Sequence, residues 1–106
     1  MRYSLVYITT KDREEAKVIG KLLLQSRLAA CINVIDSMTS MYWWEGKIQE
    51  DHEAVLIAKT KAGLVNDVIE KVKSVHSYDT PCIVSFPILT GNKKYLDWIK
   101  EETVSQ

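Results

Sequence analysis

Glycine and proline together supply only six of 106 residues, so long flexible linkers are excluded and successive elements must follow one another closely. Cysteine occurs twice, at Cys31 and Cys82, too rarely and too far apart for a disulfide framework or a four-cysteine zinc site. Neither sign of charge is in excess, because fourteen Lys and Arg balance fourteen Asp and Glu. That leaves no net field to draw in nucleic acid or an anionic membrane. No apolar run approaches the roughly 20 residues of a membrane span, and Met1-Arg2-Tyr3-Ser4 leads straight into a strand-like pattern with no cleavable signal, so the expected compartment is the cytoplasm. A Gly-rich phosphate loop is absent and no serine has nucleophile-elbow spacing, which argues against nucleotide transfer and serine hydrolysis. What remains is 46% apolar and 26% charged residues, the composition of a globular protein with room for one domain.

The order of elements is the main clue. Residues 3 to 10, Tyr-Ser-Leu-Val-Tyr-Ile-Thr-Thr, are β-branched or aromatic and predict a strand. Asp12 followed by Glu15 forms a capping-box variant, and Ala16, Ile19, Gly20, Leu23 and Leu24 recur at helical spacing, predicting a helix over 13–28. The chain then reads as extended from Cys31 to Trp44, turns at Glu45-Gly46-Lys47 and returns from Ile48 to Thr60, a long hairpin. Val65, Val68, Val72 and Val75 stripe a second helix over 61–75, Cys82 to Leu89 reads as a fourth strand, and Asn92 caps a short last helix carrying Tyr95, Trp98 and Ile99.

This β-α-β-β-α-β pattern with a C-terminal helix is the ferredoxin-like α+β arrangement, two helices on one face of an antiparallel sheet. Right-handed crossovers give the sheet order 4-1-3-2. Pro87 fits, since a strand proline is tolerated chiefly at an edge and the fourth strand is one. If the second strand runs unbroken over its 14 residues it reaches about 46 Å. A compact domain of this length is about 34 Å across, so the hairpin tip overhangs. The arm carries Tyr42 and Trp44 on one face and Met41 and Trp43 on the other, so neither face is polar and the arm is expected to pack against other copies of the chain. The alternative is a bulge or bend that folds the arm back.

Chemistry-bearing residues are few. The soft or borderline metal donors are Cys31, Cys82, His52, His76, Met38 and Met41, with no spacing of a preformed site. Cys31 and Cys82 begin strands at opposite edges, about 14 Å apart across three strand spacings, so two free thiols are expected. His76 ends the second helix, where an imidazole caps the last carbonyls, or else turns a ring nitrogen to a ligand beside the polar loop Ser77-Tyr78-Asp79-Thr80-Pro81. Glu50-Asp51-His52-Glu53 alternates between two strand faces and reads as a solvated hairpin stretch. Only Cys31 with His76 offers a nucleophile and base, and nothing in the spacing joins them, so no enzyme is expected. The third strand holds no aromatic residue, which argues against an RNA-binding module of this topology.

Leu28-Ala29-Ala30-Cys31-Ile32-Asn33, Met41-Tyr42-Trp43-Trp44-Glu45-Gly46-Lys47, His76-Ser77-Tyr78-Asp79-Thr80-Pro81 and Gly91-Asn92-Lys93-Lys94-Tyr95-Leu96-Asp97-Trp98-Ile99 together resemble the divalent-cation tolerance protein CutA family. The resemblance spans nearly the whole chain. It implies a homotrimer joined through the long hairpins at Met41, Tyr42, Trp43 and Trp44, linked to tolerance of copper or another divalent transition metal, with no organic cofactor. Cys31 matches the family's cysteine after the first helix, and His76 and Tyr78 match its His-Pro-Tyr motif. Ser77 replaces the usual proline, and Cys82 replaces the usual glutamate after Thr-Pro, trading a hard oxygen for a soft sulfur that favours Cu(I) or Zn(II) over Mg or Ca. His76 and Cys31, with Cys82, are the expected metal ligands. The family also resembles the trimeric PII signalling proteins, which implies an alternative in which Asn33, Trp44, Lys59, His76 and Tyr78 line an inter-subunit cleft for a small molecule or a partner protein. A scaffold for other proteins is a third possibility.

Overall fold

The computed structural model describes residues 1–105. In chain order it has β1 (Tyr3–Thr10), α1 (Arg13–Gln25), β2 (Cys31–Trp44), β3 (Lys47–Lys61), a 3-10 turn at Ala62–Leu64, α2 (Val65–Val75), β4 (Ile83–Ile88) and α3 (Lys93–Glu102). The strands form one antiparallel sheet in the order β2-β3-β1-β4, the ferredoxin-like α+β order expected from the sequence. Pro87 lies on the edge strand β4 opposite Ser4.

Period-two alternation assigns the faces. Val6 and Ile8 of β1 and Ala54, Leu56 and Ala58 of β3 join Ala16, Ile19 and Leu23 of α1 and Val68 and Val72 of α2 in one core. Asp12 Oδ1 accepts from Glu15 N–H at 2.8 Å, and Glu15 Oε1 accepts from Lys11 N–H at 3.0 Å, which starts α1 as the capping pair predicts. The helix ends three residues before the expected boundary. Leu28 N–H donates to Leu23 O and Arg27 N–H to Leu24 O, the paired bonds of a Schellman turn, with Arg27 at φ 59° in the left-handed position where glycine is the usual signal.

The hairpin departs from an unbroken strand. Ile35 pairs with Val55 and Met38 with Glu53, so Asp36 and Ser37 stand opposite Ala54 as a bulge, with Ser37 at φ 63°. The bulge does not fold the arm back. Within β3, β1 pairs only with Ala54–Lys61, so Met38–Trp44 and Lys47–Glu53 continue as a two-stranded ribbon closed by a turn with Glu45 and Gly46 both at positive φ. The molecule is 44 Å in its longest dimension against 25 and 21 Å in the others, as the overhang requires. Trp43 is 73% exposed and Met41 69%.

The helix-free face of the sheet is only partly covered. At one end α3 lies over β3, with Lys59 Nζ 5.5 Å above the Tyr95 ring, Lys61 Nζ donating to Val104 O and Ile99 buried. Elsewhere Ile35, Val84 and Phe86 are left exposed.

Gly20 fixes how closely α1 approaches the sheet. A Cβ built there meets Ile32 Cγ2 at 2.7 Å and Leu56 Cδ1 at 3.1 Å, and Ile32 Cγ2 sits on a stiff β-branched side chain. The overpacking cost of about 1–3 kcal/mol exceeds the roughly 1 kcal/mol that alanine returns in helix propensity. Gly20→Ala is expected to lower the urea midpoint, and Ile32→Leu added to it to recover part of the loss, giving a favourable coupling in a double-mutant cycle. Additive effects would contradict this packing account.

Candidate functional site

Where the ribbon leaves the sheet, the loop after α2 folds under it and encloses a cavity of about 530 Å³. The bulge sets its wall, because after Asp36 and Ser37 the even-numbered residues Met38, Ser40, Tyr42 and Trp44 take the helix-free side and line the cavity. Glu53 enters from β3, Tyr7 and Thr9 from β1, and Tyr78, Asp79 and Cys82 from the loop.

The loop is latched by residues that do not reach the cavity. His76 leaves the last turn of α2 in extended conformation. Its Nδ1 accepts from Tyr78 N–H at 3.0 Å, so the ring proton sits on Nε2, which donates to Thr9 O at 2.7 Å. Neither nitrogen is left for a ligand in this arrangement. Glu15 adds the second latch, with Oε2 accepting from Ser77 N–H at 2.9 Å. Burial works against the Glu15 carboxylate, but the backbone donors of Lys11 and Ser77 and the nearby His76 ring together hold its pKa below the usual carboxylate range.

These latches deliver Tyr78 to Glu53. Tyr78 OH donates to Glu53 Oε2 at 2.7 Å, and burial together with this carboxylate pushes the phenol well above its ordinary pKa. Glu53 is 9% exposed, so it departs from the solvated stretch read from the sequence: Tyr78 and the ribbon cover it. Cys82 lies at the cavity mouth, and burial, then the Glu53 charge, raise its thiol pKa against a hydrogen bond with Thr9. Tyr7 OH donates to Met38 Sδ at 3.5 Å, and Tyr42 OH to Asp51 Oδ2.

The residues singled out from the sequence divide into two groups. Trp44, Tyr78 and Cys82 meet at the cavity, with His76 just behind it. Cys31, Asn33 and Lys59 lie at the other end beside α3, where Cys31 Sγ stands 4.0 Å from Asn33 Oδ1 and Tyr95 contacts both Cys31 and Lys59. Cys31 aligns through Lys59 with Leu5, four residues along β1 from Thr9, so it lies roughly 16 Å from the His76 contact. Both cysteines are free, and the same register offset puts them about 20 Å apart, farther than the strand count alone. Among the described residues no three His, Cys, Asp or Glu side chains converge as a metal cluster. From the sequence Glu15 is only a helix cap, Glu53 part of a solvated stretch and Tyr7 a strand residue, because their roles at the site come from contacts between distant elements; the only local signal is Glu53 next to the apolar run that enters the core.

Loss of the Glu15 latch has a defined pH sense. A carboxylate whose folded pKa is depressed adds stability above its ordinary pKa, about 4.3, and loses it as pH falls through that value and below. The urea midpoint of the parent is therefore expected to fall over this range, with Glu15→Gln showing a shallower fall. Parallel curves for the two proteins would contradict the latch.

Comparison with known proteins agrees with this architecture. A family model described as CutA1 divalent ion tolerance protein matches residues 4–102. The protein named CutA 1, chloroplastic, of Oryza sativa subsp. japonica is 42% identical over 99 residues, covering 93% of this chain and 56% of the rice protein. The chain thus spans about half the length of the plant relatives it matches. The divalent-cation tolerance protein CutA of Thermus thermophilus is 43% identical, covering 93% of this chain and 96% of its own. A crystal structure of CutA1 from Oryza sativa superposes with a TM-score of 0.97 at 40% identity, over all of this chain and 97% of that one.

Proposed function

The chain belongs to the CutA1 divalent ion tolerance protein family, and on that premise we propose that it works as a homotrimer that takes up copper at the cavity beneath the ribbon. The trimer rests on exposed apolar surface. Met41, Trp43, Trp44 and Ile48 of the ribbon and Val84 and Phe86 of the sheet are all exposed in the single subunit, more than an isolated soluble chain normally leaves in one region.

One observation carries the copper reading: the sulfur-bearing side chains of Met38 and Cys82 line one cavity. Soft thiolate and thioether donors suit copper, and sulfur ligands are poor partners for Mg or Ca. The described residues contain no cluster of three His, Cys, Asp or Glu, so Cys82 leads the donor set and a neighbouring subunit or water completes it. His76, with both nitrogens engaged, positions the loop that carries Tyr78. Cys31 belongs to the cluster with Asn33, Lys59 and Tyr95, away from this site.

We read the role as binding and not catalysis: Cys31 lies roughly 16 Å from the His76 contact, and both His76 nitrogens are already engaged. No helix among the described residues is long and apolar enough to cross a membrane, and two free thiols suit a reducing compartment. The cytoplasm is the compartment we propose. The PII-like alternative, a small molecule bound between subunits, keeps support from Trp44 and Tyr78, which share the cavity, but not from Asn33 and Lys59.

The test is metal analysis after gel filtration of protein incubated with copper under reducing conditions. The parent is expected to retain a whole number of ions per trimer, and Cys82→Ser to bind at least about tenfold more weakly, with a smaller loss in Met38→Leu. Equal affinity in Cys82→Ser removes the site.

A further inference from the structure

Glu53 is a carboxylate withdrawn from water with no positive group beside it. Its one hydrogen-bond donor is the Tyr78 hydroxyl, and the ion pairs among the described residues, Arg27–Glu102, Lys73–Glu70 and Lys93–Asp97, do not include it. Buried charges are ordinarily paired or well supplied with donors, and one phenol is a small supply. The cavity wall contains no Lys, Arg or His, and its other carboxylate, Asp79, has the same sign. Among the described residues of one subunit nothing neutralises Glu53, and its counter-ion comes from outside the subunit.

The wall also selects the kind of cation. Tyr7, Tyr42, Trp44 and Tyr78 all line the cavity, and aromatic faces carry the negative side of a quadrupole that attracts alkylammonium groups most strongly where water is excluded. Glu53 and the rings do not supply the several close oxygen donors that a hard metal ion needs. The volume of about 530 Å³ falls in the range of sites for small organic molecules. We infer that this cavity binds a small organic cation of the alkylammonium class, with Glu53 as its counter-ion and the four rings as its cage. Anionic effectors are disfavoured, since they would meet Glu53 and Asp79 with no cation in the wall. The site lies in the same cavity as the proposed copper position but does not rest on it, because copper is drawn by the sulfur of Cys82 and the organic cation by the carboxylate of Glu53.

Isothermal titration of the intact protein with choline chloride at constant ionic strength, alongside its uncharged isostere 3,3-dimethyl-1-butanol, tests this directly. Saturable choline binding is expected, at least about tenfold tighter than the isostere. Glu53→Gln, whose amide oxygen still accepts from Tyr78, is expected to weaken choline by a similar factor, and Trp44→Leu to weaken it as well, with both variants verified as folded by circular dichroism. The titration is run on chelator-treated, metal-free parent protein, so choline binding that persists when copper uptake fails supports the organic-cation site by itself. Absence of saturable choline binding, equal binding of the isostere, or indifference to Glu53→Gln overturns it.

Discussion

A four-stranded sheet has two faces, and α1 and α2 cover only one of them. The short α3 closes one end of the second face by burying Ile99 and seating Lys59 over Tyr95. The rest, together with the ribbon that extends it, exposes tryptophan, methionine, phenylalanine and valine to solvent. At the usual ~25 cal/mol for each Å² of apolar surface removed from water, covering this region is the largest stabilisation still open to the folded chain. Association of copies, the shape of the cavity and the route by which a ligand reaches it all depend on that uncovered face.

The cavity exists because two local features cooperate across the sheet. The bulge at Asp36 and Ser37 shifts the alternation of β2 by one, which turns Met38, Tyr42 and Trp44 toward the loop after α2. The Glu15 and His76 latches hold that loop under the ribbon by its own backbone, at Ser77 and Tyr78. Their hydrogen bonds are to main-chain groups, so they fix where the loop runs and leave Tyr78, Asp79 and Cys82 free to face the cavity. Its chemistry is divided: sulfur from Met38 and Cys82, and an aromatic wall with the buried carboxylate of Glu53. The two proposed ligands, a soft metal and an organic cation, call on different atoms.

Much of the fold was legible in the sequence wherever one short segment carries its own signal. The Asp12 and Glu15 cap, the buried stripe Ala16, Ile19, Gly20 and Leu23, the turn at Glu45 and Gly46 and the edge position of Pro87 are each decided within a few residues. The end of α1 was misjudged because Arg27 takes the left-handed position that glycine would have announced. The sequence allows a bulge in the arm but does not place it, for a similar reason: Asp36-Ser37 is a weak polar break inside a long extended run, and only pairing with β3 reveals the extra residue. For the site, the sequence points to Tyr78 and Cys82 but places Glu53 in a solvated stretch. Its burial comes from Tyr78, 25 residues away, and no local pattern reports such a contact. The family motif likewise grouped His76 with Cys31, which the register of the sheet then separates.

The claim on which the account turns is that the uncovered face and ribbon are buried between copies of the chain. Sedimentation equilibrium across a dilution series to low micromolar concentration tests it most directly. The account predicts a mass three times the 12.1 kDa of one chain, stable on dilution, with Trp43→Lys shifting the protein toward single chains. A parent protein that sediments as one chain at every concentration, with its ribbon in water, would contradict it.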